Sequence, residues 1–64
     1  MQYRTTLYSV RDFPQLRFID QAIHDSEEQA DDWIRANLTD GYCLHLDQRA
    51  APGDTWEPIA DCHP

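Results

Sequence analysis

The spacing of apolar residues along this chain changes period several times, and each change marks an element. From Gln2 to Val10, Tyr3, Thr5, Leu7 and Ser9 alternate with Arg4, Thr6, Tyr8 and Val10, the period of two that a pleated strand requires. Both faces of this strand carry apolar groups, so the pattern does not choose a buried side. Arg11 to Gln15 holds Pro14, which removes a donor and constrains its predecessor, and reads as a turn. A second strand follows over 16–24, with Phe18, Ala22 and His24 on one side and Arg17, Ile19, Gln21 and Ile23 on the other. So short a connection predicts an antiparallel hairpin.

The period then becomes helical. Ser26 is an N-cap and Gln29 completes a capping-box pattern. Ala30, Trp33, Ile34, Asn37 and Leu38 form one stripe of a helix over 27–38. Thr39-Asp40-Gly41 ends it, with Gly41 as the left-handed C′ residue. A third strand over 42–47 puts Tyr42, Leu44 and Leu46 on one face and Cys43, His45 and Asp47 on the other. The Pro52-Gly53 loop leads to a fourth strand over 55–62, which Pro58 assigns to a sheet edge. The pattern predicts a single α+β domain, β-β-α-β-β, with a mostly antiparallel four-stranded sheet and one helix on a face. Its expected core is Leu7, Phe18 or Ile19, Ile23, Ala30, Trp33, Ile34, Leu38, Leu44, Leu46, Trp56 and Ile59, with Trp33 as the main anchor and Trp56 partly buried.

Composition adds a charge bias. The 64 residues carry twelve Asp and Glu against five Arg and no Lys, a net charge of −7. Residues 1–19 are net +2, while residues 20–64 hold eleven acids against Arg35 and Arg49, a net −9. That balance argues against direct binding of nucleic acid, which needs positive charge to displace counterions, and favours a basic partner. With no apolar run of membrane-spanning length and no signal pattern, a cytoplasmic protein is the expectation. Basic residues that are all Arg, in a chain rich in Asp and Ala, hint at a GC-rich bacterial or phage genome.

The acids concentrate on the helix. Glu27 with Asp31 and Glu28 with Asp32 are like-charge i,i+4 pairs, each costing an isolated helix about 0.2–0.5 kcal/mol. First-turn acids complement the helix dipole, and Asp31 is placed to pair with Arg35, but Asp32 has neither reason. Asp25, Glu27, Glu28, Asp31 and Asp32, joined by Asp47, Asp54, Glu57 and Asp61 of the second hairpin, are the expected partner-binding residues. The plainer alternative is a solvated face that keeps a small domain soluble.

Catalytic chemistry finds little footing. Cys43, His45 and Asp47 share one strand face, but such side chains project in parallel and do not converge on a substrate atom. A fold this small is also expected to lack a substrate-sized pocket, so a non-enzyme without cofactors is the expectation. Cys43, His45, Cys62 and His63 match no usual zinc spacing, and no metal site is expected. Cys43 and Cys62 are read as two independent thiols, with a disulfide as the alternative.

A strand hairpin, a Ser-capped acidic helix and a second hairpin, in a short acidic chain, together resemble the small phage-encoded anti-CRISPR proteins that act on type I systems. The residues that carry this are Ile23-His24-Asp25-Ser26-Glu27-Glu28-Gln29-Ala30, Trp33-Ile34-Arg35, Gly41-Tyr42-Cys43-Leu44-His45-Leu46-Asp47 and the late Trp56. The likeness is one of architecture and charge over nearly the whole chain. It implies a protein of the bacterial host cytoplasm that blocks a CRISPR surveillance complex by occupying a basic DNA-binding groove, binding the PAM-reading subunit or recruiting the nuclease-helicase away. The alternative expectation is an antitoxin-like or accessory interaction domain that binds a protein through an edge strand and exposed aromatics.

Overall fold

The computed structural model describes residues 1–61 and shows β1 (Gln2–Ser9), β2 (Arg17–His24), α1 (Glu27–Asn37), β3 (Tyr42–Arg49) and β4 (Glu57–Asp61). The strands form one antiparallel sheet in the order β2-β1-β3-β4, and the α+β, β-β-α-β-β expectation holds. Pro58 does sit on an edge strand, opposite Asp47 of β3. The expected extension of the last strand to Cys62 falls outside the described residues.

Directly opposed residues share a sheet face, so the register sorts the side chains. The rows His24–Tyr3–Gln48–Glu57, Ala22–Thr5–Leu46–Ala60 and Asp20–Leu7–Leu44 lie on the face that bears α1. Ile23–Arg4–Asp47–Pro58, Gln21–Thr6–His45–Asp61 and Phe18–Tyr8–Cys43 lie on the other, open face. Leu7, Ala30, Leu44 and Leu46 form the buried cluster, with Tyr3, Trp33, Ile34, Leu38 and Tyr42 packed against it.

Two expectations about β2 are corrected. Phe18, Ile19 and Ile23 are exposed, at 58, 43 and 54%, rather than in the core. An irregularity opposite Leu7 and Tyr8 skips Ile19, so Phe18 pairs with Tyr8 on the open face instead of sharing a side with Ala22 and His24. Ile59 is likewise passed over at a second irregularity, between Leu46 and Asp47, and stays exposed.

The helix starts as its sequence directs. Gln29 N–H donates to Ser26 Oγ at 3.2 Å, and Gln29 Oε1 accepts from Asp25 N–H at 3.1 Å, one residue before the position a standard box uses. Its end differs from expectation. Leu38 is an extended C-cap, and Gly41 lies three residues beyond it, not at C′. Tyr42 N–H donates to Thr39 O at 3.2 Å, closing a turn in which Gly41 (φ +87°) occupies the position that demands positive φ. The Asn37 side-chain amide also donates to Trp33 O at 2.8 Å, satisfying one carbonyl of the last turn.

Leu44→Ala should therefore cost about 2–4 kcal/mol, since it opens a cavity in a core cluster of four buried residues. Ile23→Ala should stay within about 0.5 kcal/mol. Urea unfolding of both variants checks the contrast.

Candidate interaction surface

The nine expected partner-binding acids do not form one surface. Asp25, Glu27, Glu28, Asp31, Asp32, Asp54, Glu57 and Asp61 are exposed, whereas Asp47 is 9% exposed. Asp47 leaves the candidate surface as a correction. Its Oδ2 accepts from Arg4 Nε and a terminal guanidinium nitrogen, both at 3.1 Å, across the β1–β3 ladder. Asp61 lies on the same open face, with its Oδ1 3.0 Å from His45 Nε2.

The helix fixes the direction of the others. Ala30 and Ile34 face the core, and the Trp33 ring lies 6.0 Å from the ring of His24 on β2. That contact turns one flank of α1 toward β2. At about 100° per residue, Gln29 and Ala36 share this flank with Trp33, while Glu27 and Asp31 lie on the opposite flank, the one turned away from β2. Glu28, Asp32 and Arg35 point to solvent between them. Glu57 belongs to the helix-bearing face through its pairing with Gln48, so it stands at the margin toward which Glu27 and Asp31 lean. The acidic surface thus consists of Glu27, Glu28, Asp31, Asp32 and Glu57.

Arg35 is the one basic residue on the helix; Arg4, Arg17 and Arg49 are drawn elsewhere. On the open face, the guanidinium carbons of Arg4 and Arg49 lie 4.7 and 4.1 Å from the centroid of the Trp56 ring, which is half-buried as expected but packs on the arginines outside the core cluster rather than within it. Arg49 Nε also donates to Gln2 Oε1 at 2.8 Å, and Arg17 pairs with Asp12 at 3.5 Å. The Asp31–Arg35 pair expected from sequence is not formed: among the described residues, no helix carboxylate has an ion-pair partner.

The open face is a polar and aromatic mosaic. Tyr8 meets Phe18 and His45 edge-on, with centroids 6.4 and 5.2 Å apart, and Gln21 donates to Thr6 Oγ1 at 2.9 Å. Cys43 is buried beside Tyr8 in the register. His45 is turned to Asp61 and Asp47 to Arg4, so these two residues of β3 are held by different partners. Among the described residues no group of His, Cys, Asp and Glu is arranged to hold a metal. The pairing of Cys43 with Cys62, and any role of His63, lie outside those residues. Contrary to expectation, there is a cleft of about 340 Å³, lined by Met1, Gln48, Arg49, Ala50, Asp54, Thr55 and Glu57 at the β3–β4 loop. Among the described residues no helix is long and apolar enough to cross a membrane. Comparison with family models, characterised proteins and solved structures finds no match.

Sequence reasoning missed the fate of Asp47 and the arginine pair on Trp56. The first had half a signal: Asp47 falls on the less apolar face of its strand, but the pattern of β1 does not choose a side for Arg4. Asp47→Ala should destabilise the fold by about 1–3 kcal/mol, less than for a fully buried pair because Arg4 keeps some solvent contact. A double-mutant cycle with Arg4→Ala should show coupling between the two positions.

Proposed function

We propose that this protein is a non-enzymatic binding inhibitor whose acidic helix face engages a basic, DNA-binding protein surface. The observation that carries this is charge segregation. Four exposed helix carboxylates lack ion-pair partners among the described residues, while Arg4 and Arg49 are held on the opposite face. Carboxylates on adjacent turns stand about 5–6 Å apart at Cβ, a separation comparable with that of successive phosphates, so a row of Lys and Arg that reads a nucleic-acid backbone would accept them. In its finer form the proposal is an anti-CRISPR DNA mimic acting on a subunit of a surveillance complex in the bacterial cytoplasm. The helix residues supply most of the contact, and Glu57 extends it. Steering by the net charge of −7 would speed encounter.

A second reading has its own observation. β2 is an open edge with exposed apolar side chains, which suits an accessory or antitoxin-like domain that pairs strands with its partner. Salt separates the two, because backbone pairing and apolar contact survive about 0.5 M salt and charge mimicry does not.

The test is capture of partners from bacterial lysate at low salt, followed by titration against the recovered protein. A nucleic-acid-binding partner that is released by moderate salt and competed by DNA supports the proposal. The folded Asp31→Lys/Asp32→Lys variant should bind roughly tenfold more weakly or worse. Unchanged affinity in that variant would sink the mimic reading.

A further inference from the structure

We infer that the free edge of β2 is a self-association site, where a second copy of this chain adds its own β2 antiparallel to build a continuous eight-stranded sheet. The two edges of the sheet are not alike. β4 has five residues, an internal proline, two acids and an irregular register, all features that blunt an edge. β2 has eight residues, no proline and no buried residue, and Asp20 to His24 pair regularly with Leu7 to Tyr3. Its outer side leaves about half of its backbone N–H and C=O groups aimed at solvent, between exposed Phe18 and Ile23.

The side chains favour a second copy as the occupant. In the register centred on Ala22, the small Ala22 side chains meet at the two-fold axis. Asp20 of each copy then stands opposite His24 of the other on the helix-bearing face, a complementary pair. His24 Nε2 is already bonded to Thr5 Oγ1 at 2.9 Å, which leaves Nδ1 as the nitrogen for the incoming carboxylate. Gln21 and Ile23 oppose each other on the open face, which extends the apolar surface begun by Phe18 and Tyr8.

The helices fit the same symmetry. A two-fold axis perpendicular to the sheet leaves both helices on one side. α1 packs over β1 and β2. With strands about 4.8 Å apart, the two helix axes come to lie on the order of 10 Å from each other, the ordinary distance for packed helices. The flanks that meet are those carrying Trp33, Gln29 and Ala36, the least acidic side of each helix, with Asp32 at the upper rim. Trp33, only half-buried in one chain, gains cover there. Glu27 and Asp31 stay on the outer flanks, so the dimer presents two acidic surfaces on one side.

Sedimentation of the purified full chain over a concentration series, at low and high salt, tests this. The expected result is a monomer–dimer equilibrium populated on the order of 0.1 mM, strengthened by salt because each copy carries −7. That salt response is opposite in sign to the one expected for a basic partner, so failure of either proposal leaves the other distinguishable. Ile23→Lys on the strand and Ala36→Glu on the helix flank should each weaken the dimer at least about tenfold, with circular dichroism unchanged. Amide exchange across β2 in the wild type should slow as concentration rises, a readout that needs no variant. A wild-type chain that stays monomeric near 1 mM, or a dimer that survives both substitutions, overturns the inference.

Discussion

An α-helix with its side chains is about 10–12 Å wide, and strands lie about 4.8 Å apart, so one helix covers about two strands of this four-stranded sheet. The chain has a single helix, and everything else about the molecule follows from that shortage of cover. The buried apolar cluster is confined to Leu7, Ala30, Leu44 and Leu46, where α1 and the central strands β1 and β3 come together. β2 lies under the Trp33 flank of α1 at the sheet's edge and still buries nothing fully. The whole open face has to be stabilised without a second layer.

The open face solves that problem with polar and aromatic contacts between neighbouring strands. Arg4 bridges to Asp47, Trp56 lies against two guanidinium groups, and Tyr8 sits between Phe18 and His45. Each contact contributes on the order of 0.5–1 kcal/mol, and together they shield Thr6 and Cys43 from water. The solution consumes arginine. With Arg4 and Arg49 committed there, the helix keeps Arg35 alone, and the acidity of the helix-bearing side follows from how the open face is built. Composition alone could not show this, since a net charge says nothing about which face keeps the bases.

The sequence made the order and type of the elements legible because each signal was local: alternation for the strands, Ser26 and Gln29 for the helix start, Pro58 for an edge. What it did not show was set by pairing between distant residues. Ile19 looks like any strand residue, yet being passed over in the register with β1 moves Phe18 to the other face. Asp47 looks like one more surface acid until β1 brings Arg4 beside it. Gly41 was placed as a helix cap because it follows Leu38 closely, and only the hydrogen bond from Tyr42 to Thr39 shows that it serves the turn into β3. The acidic helix residues were legible as exposed, but their direction was not. That direction depends on Trp33 meeting His24, a contact between two elements.

The like charges on α1 show what this arrangement tolerates. Two i,i+4 carboxylate pairs oppose helix formation by about 0.2–0.5 kcal/mol each, and no ion pair among the described residues relieves them. A single good N-cap contributes about 1 kcal/mol, and burial of Ala30 with the packing of Trp33 and Ile34 contributes more. The helix is therefore held by its cap and its core face, and the identity of Asp31 and Asp32 is not constrained by folding. Residues that folding does not require, carried at a small cost and aligned on one surface, are those in which a binding role would be written. The physical case for the acidic face rests there, on Asp31 and Asp32 more than on Glu27 and Glu28, whose place in the first turn the helix dipole already favours.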